Sequence, residues 1–198
     1  MYLLLTNCHI TSLLNGVLMN KFYVEVPHLK FDYDALLDYY ENITEWNTNK
    51  TFLSGYGRDS AVEDLWFDYY PTHPNKVFDD IIANINADIS LTDFKFTKQL
   101  AGGKVPWHID PIRTSVLMIP LKETDDKIEW MDAAGNILES HQYTCPTVIN
   151  ATRWHGCPEV KQDRLSLQVS IPYLWRELLI NYNTLFGEVA EWPKASDY

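Results

Sequence analysis

From Ser90 to Pro172 the chain consists of short runs with period-two spacing, each closed by a turn, and helical spacing returns only after Pro172. Such runs make half-buried strands, and many short strands in succession make a sandwich, a barrel or a jelly roll. Strands are expected near 93–100, 107–110, 114–121, 127–132, 137–143, 147–150, 153–156 and 165–171, and eight strands fit a jelly roll. Ala134-Gly135-Asn136 provides a hairpin turn, and Gly102-Gly103 turns the chain sharply toward His108. The stretch 114–121 is apolar on both faces, so it belongs at the centre of a sheet covered on both sides.

Before this region the spacing differs. Residues 22–26 have strand composition and stop at Pro27, while Phe31, Leu36, Leu37 and Tyr40 mark one face of a helix over 31–43. Residues 46–74 read as an aromatic loop with Gly55 and Gly57 as hinges, and Trp66, Phe67, Tyr69 and Tyr70 pack beneath it or line an entrance. Helical spacing recurs over 75–89 and again over 175–186. With 198 residues and 46% hydrophobic content, one core suffices, and 19–186 is read as a single domain. Within it, 19–90 is an N-terminal support region, 91–172 the jelly-roll core and 173–186 a closing helix.

The two ends stand apart. No residue from Tyr2 to Asn20 is formally charged, yet the run is too interrupted to span a bilayer and lacks the positive start of a secretory signal. Because Met19 leads directly into a strand, 1–18 reads as an upstream extension. The tail 187–198 has no periodicity, resembles the translated beginning of a transfer-RNA gene, and is assigned no role.

The formal net charge is −11, and 32–88 carries twelve acidic residues against Lys50, Arg58 and Lys76. An acidic surface repels phosphate backbones, which disfavours nucleic acid as a partner and reads most simply as a solvated face. Three cysteines, Cys8, Cys145 and Cys157, make no disulfide framework and fit a reducing, cytoplasmic setting. Cys157 follows His155 by two residues, so a thiolate metal site with Cys145 is a minor alternative.

The chemistry concentrates in Trp107-His108-Ile109-Asp110, His155 and Arg164. On a strand, His108 and Asp110 share a face, and a second imidazole from His155 would complete a two-histidine, one-carboxylate set that leaves one side of a metal open. The strand Arg164-Leu-Ser-Leu-Gln-Val-Ser-Ile171 places Arg164, Ser166, Gln168 and Ser170 on one face. Beside a metal, that face offers a guanidinium and a hydroxyl suited to gripping a carboxylate.

Through His108-x-Asp110, the distal His155 and Arg164-x-Ser166, residues 91–172 resemble the 2-oxoglutarate- and Fe(II)-dependent oxygenases. Val105-Pro-Trp-His-Ile-Asp and Val148-Ile-Asn-Ala-Thr-Arg-Trp-His look most like members related to aspartyl/asparaginyl and prolyl hydroxylases. The resemblance implies a mainly β fold with flanking helices around a double-stranded β-helix, the cupin-like jelly roll. It implies Fe(II) on His108, Asp110 and His155, and 2-oxoglutarate with its far carboxylate on Arg164 and Ser166. It also implies consumption of O2 with release of succinate and CO2, and hydroxylation of a small-molecule or peptidyl substrate. Arg113, close to Asp110, would bind cosubstrate or substrate, or form a plain salt bridge. Trp107, Asn150 and Trp154 would shape the pocket or pack in the core.

Plainer alternatives exist for each residue taken singly: structural histidines, a turn aspartate before Pro111, a surface ion pair for Arg164. A cupin-like metal- or ligand-binding module is the alternative of another class, and Arg164-x-Ser166 argues against it, since a metal staple needs no carboxylate clamp. A nucleobase demethylase is disfavoured by the acidic composition.

Overall fold

The computed structural model describes residues 21–48 and 65–187; the expectations for 1–18 and for the tail beyond Gly187, and much of the 46–74 segment, lie outside them. Two antiparallel sheets dominate. The chain runs through β1 (Tyr23–Glu25), α1 (Tyr33–Glu41), β2 (Asn47–Thr48), β3 (Trp66–Tyr69), α2 (Lys76–Ala83), a 3-10 turn (Leu91–Asp93), β4 (Phe94–Gln99) and β5 (Val105–His108). It continues through β6 (Ser115–Pro120), β7 (Lys127–Met131), β8 (Ile137–Gln142), β9 (Thr147–Asn150), β10 (His155–Cys157), β11 (Arg164–Ile171) and α3 (Trp175–Phe186). The larger sheet has the order β1-β9-β6-β11-β4-β3-β2 and the smaller β5-β10-β7-β8. A mainly β jelly roll with flanking helices is thus the fold.

The three helices cover one face of the seven-stranded sheet. Leu36 of α1, Phe78 and Ile81 of α2, and Leu178 of α3 are buried in one cluster with Phe94, Phe96, Leu117 and Leu167 of the sheet. Helix starts follow from capping: the Asp32 carboxylate accepts from Ala35 N, and the Asn75 side chain accepts from Val77 N. The opposite face of the sheet meets the smaller sheet, where Val116, Met118 and Ile149 pack on Ile128, Trp130 and Tyr143. Strand β6 therefore supplies both layers, with residues 115–119 all buried, as its two apolar faces require. At the tip of the β7–β8 hairpin Gly135 has φ +85°, a conformation an L side chain rarely adopts.

Several expectations need correction. The stretch read as loop contains β2 and β3: Trp66 and Asp68 are buried and β3 pairs along β4, so a long-range partner turned an aromatic cluster into a strand. The helix expected over 75–89 ends at Ala83, where Asn84 caps it; Ile85 and Ile89 still reach the core from turns, so their spacing imitated a helix. The strand expected over 107–110 ends at His108, and the one expected over 153–156 is His155–Cys157.

Candidate metal centre and adjoining pocket

Alternation and pairing bring the predicted residues together between the sheets. His108 ends β5, His155 begins β10, and the two are direct cross-strand partners with ring centroids 4.2 Å apart. Asp110 is not on the strand face but two residues past its end, where its backbone N–H donates to Ala151 O at 3.0 Å. Its carboxylate still reaches the histidines: Oδ1 lies 3.4 Å from His108 Nε2, and ligand atoms of His108, Asp110 and His155 all lie within 4.8 Å of one another.

The imidazole orientations are set by the backbone. His108 Nδ1 donates to Pro106 O and His155 Nδ1 to Arg153 O, each at 2.8 Å. A carbonyl only accepts, so the proton sits on Nδ1 and the Nε2 lone pair is the one offered to the centre. Burial, reinforced by His108, pushes His155 down to about 4, keeping it neutral and able to ligate. For Asp110, burial would raise the pKa, but the neighbouring His108 ring and the charge of Arg113 outweigh it and hold the carboxyl at about 2. Two imidazoles and one carboxylate form a donor set suited to borderline divalent cations.

Strand β10 can approach β5 this closely because residue 156 is glycine. A Cβ there would lie 2.9 Å from Val105 O and 3.3 Å from the Trp107 indole. Trp107 thus packs against the β5–β10 seam, Asn150 is buried and accepts from Thr152, and Trp154 is exposed.

The polar face of β11 continues the pocket away from the three candidate ligands. Arg164 is buried, its Nη1 donates to Cys157 Sγ, and its guanidinium carbon lies 4.8 Å from the centroid of the Tyr143 ring. Burial opposes its charge, but the thiol of Cys157 and the phenol of Tyr143 keep its pKa above the ordinary value. Ser166 Oγ shares a 2.7 Å hydrogen bond with Thr97 Oγ1. The buried Tyr143 hydroxyl lies against the Arg164 guanidinium. Arg113 resolves toward the carboxylate: Nη2 lies 2.7 Å from Asp110 Oδ2 and Nη1 donates to Gln168 Oε1 at 2.9 Å. Cys145 and Cys157 enter no metal-competent cluster among the described residues.

No family model matches the sequence, and no curated protein is similar to it in sequence. A Pseudomonas putida prolyl-4-hydroxylase has a TM-score of 0.50 at 14% identity, covering 81% of this chain and 97% of that one. The two share a fold. A Burkholderia pseudomallei protein described as an oxidoreductase of the 2OG-Fe(II) oxygenase family has a TM-score of 0.45 at 12% identity, covering 80% of this chain and 88% of the other.

Four pocket residues escaped the sequence reading: Thr97 and Lys95 on β4, Tyr143 just past β8, and Asp68 on β3. Lys95, Thr97 and Gln99 alternate with Phe94 and Phe96, so a polar inward row on β4 was present in the sequence. Its register against Gln168, Ser166 and Arg164 shows that the two rows face the same space. Lys95 is largely buried, 3.8 Å from Asp68, and burial lowers its pKa to about 8 against the opposing pull of Asp68. No helix among the described residues is long and apolar enough to cross a membrane.

Proposed function

We propose that this protein is an Fe(II)- and 2-oxoglutarate-dependent dioxygenase that hydroxylates an organic substrate, a free amino acid or a peptidyl side chain, with release of succinate and CO2. The observation that carries the reading is the His108, Asp110 and His155 cluster with both Nδ1–H groups tied to backbone carbonyls. That donor set fits a ferrous ion held on one side, and Arg164, Ser166 and the adjoining Tyr143 hydroxyl fit the far carboxylate of 2-oxoglutarate. Bound there, the iron and its cosubstrate would supply dioxygen activation coupled to oxidative decarboxylation.

The chain's own residues orient and insulate. Pro106 O and Arg153 O fix the two imidazoles, while Arg113, braced by Gln168, holds the Asp110 carboxylate in its ionised form. Arg164 recognises an anion with a planar pair of donors, and Tyr143 can donate to the same group. Val116, Met118 and Ile149 give the pocket an apolar wall that keeps water away from the reacting groups. A metal used only as a staple would leave Arg164 buried with no carboxylate beside it among the described residues.

Anaerobic reconstitution with Fe(II) and 2-oxoglutarate, followed by admission of oxygen, should yield stoichiometric succinate. His155→Ala and Asp110→Ala should each lose Fe(II)-dependent 2-oxoglutarate binding. Folded wild-type protein that fails to bind 2-oxoglutarate in the presence of Fe(II) would sink the oxygenase reading; undiminished binding by both variants would sink the ligand assignment.

A further inference from the structure

Outside the candidate centre lies a second cleft of about 570 Å3, a volume suited to a small organic ligand. It shares His108, Asp110, Arg113 and Lys95 with the inner pocket, so these residues form the wall between the two spaces. Lys95 is the unusual member of that wall. Its side chain is 12% exposed, and its ammonium makes no hydrogen bond to any described residue. Asp68 at 3.8 Å is too distant for one, and the Trp66 ring centroid is 6.0 Å away. Three donors on a buried cation are thus left for something that enters the cleft, because a buried charge is held at high cost unless hydrogen-bonded.

Across the two spaces Lys95, Arg113 and Arg164 face Asp68, Asp93 and Asp110 among the described residues, so the charges balance in number. A ferrous ion and a 2-oxoglutarate dianion cancel each other and would leave that balance unchanged. Asp93, at the rim, is turned back onto its own turn and accepts from Ser90 N at 2.8 Å and Ser90 Oγ at 3.1 Å. Arg113 is committed to Asp110 and Gln168, and Arg164 contacts Cys157 deeper in the pocket. Lys95 remains.

We propose that Lys95 is the specificity-determining residue of the outer cleft and receives a carboxylate of the substrate, presenting the rest of that molecule to the centre at His108, Asp110 and His155. The catalytic meaning of this assignment rests on the oxygenase reading; the preference for an anion does not. The carboxylate can be the α-carboxylate of a free amino acid or an acidic side chain within a peptide, and the two are separable by choice of probe.

Calorimetry under anaerobic conditions, with and without Fe(II) and 2-oxoglutarate, compares the common L-amino acids with their α-carboxamides. A parallel series compares capped Gly-Asp-Gly and Gly-Glu-Gly with capped Gly-Asn-Gly and Gly-Gln-Gly. At least one carboxylate should bind about tenfold or more tightly than its amide, as a charge-assisted contact requires. Lys95→Met and Lys95→Gln should erase that preference, and Lys95→Arg should keep it. Equal affinity for carboxylates and amides, absence of binding by every probe, or a preference that survives both neutral variants would overturn the proposal. The wild-type ligand pairs remain decisive even where a variant misfolds. Failure of Fe(II) and 2-oxoglutarate to bind counts against the oxygenase reading instead, and the carboxylate–amide comparison still reads in metal-free protein.

Discussion

The two faces of the seven-stranded sheet bury side chains of opposite character. Toward the helices lie Leu36, Phe78, Ile81, Phe94, Phe96, Leu117 and Leu167, all within 1% of complete burial and all apolar. Toward the smaller sheet, hydrophobic contact is confined to a short cluster around Trp130, and the rest of the layer holds Thr97, Gln99, His108, His155, Arg164 and Ser166. A single strand serves both, since β11 gives Leu167, Val169 and Ile171 to one side and Arg164, Ser166 and Gln168 to the other. Folding energy is therefore concentrated on the helix side, which lets the other side keep polar groups that weaken packing and serve binding.

The largest test of this division is Phe96→Ala. Removing a fully buried ring that touches Tyr39, Tyr40, Tyr69 and Phe78 should cost about 3–5 kcal/mol in chemical denaturation. Fe(II) affinity of the folded fraction should be unchanged, and a parallel loss of metal affinity would break the comparison. Next comes Arg164→Met on the opposite face, measured by 2-oxoglutarate titration. Losing charge-assisted hydrogen bonds should weaken cosubstrate binding by roughly 1.5–3 kcal/mol. Stability should change little or rise, because replacing a buried charge with an apolar chain is often neutral or stabilising.

Gly156→Ala sits between these extremes. Its Cβ would meet Val105 O at 2.9 Å, so the β5–β10 seam must open, at a cost of about 1–3 kcal/mol. Because His108 and His155 face each other across that seam, metal affinity should fall with stability here, unlike in Phe96→Ala. The smallest effect is on acid sensitivity. Burial lowers His141, which stacks on Tyr23, to about 4, as burial and His108 together lower His155. In the unfolded chain these histidines protonate near pH 6.5, so the unfolded state binds more protons between pH 6.5 and 4. Stability of the metal-free protein should hold above that window and decline as pH falls through it. Asp110, held at about 2 against an ordinary 3.8, adds a further loss below pH 4. Denaturation midpoints across pH should show a shallower decline for His141→Phe; an unchanged profile would mean the inter-sheet layer is not the acid-sensitive one.

What was legible in the sequence follows the same division. Alternation in Arg164–Ile171 announced both faces of β11, and the double-sided apolar run placed β6 at the centre, because strand period is a local property. His108 and His155 were readable as partners because each is held in a strand. Asp110 was read on a strand face and reaches the centre from beyond the strand end, through a backbone bond to Ala151 and a clamp from Arg113. Asp68 and Trp66 were hidden for a different reason. Their strand is short, and only pairing with β4, some thirty residues later, organises it. Lys95 was visible in alternation but had no meaning until Asp68, Arg113 and the cleft stood around it.

The cross-strand pairing of His108 with His155 has a consequence for how the molecule is made. Contacts between residues far apart in sequence form only after the intervening chain has been gathered, and the entropy of that closure is met late. The neighbouring pairs β1–β9 and β4–β11 span still longer intervals. A nascent chain that has emerged only through Asp110 carries one of the two candidate imidazoles, His108, and the Asp110 carboxylate, an incomplete donor set. Under the proposed function, capture of a redox-active ion would be deferred until a sheltered pocket exists to hold it, and biosynthesis itself would limit unprotected oxidation of the growing polypeptide.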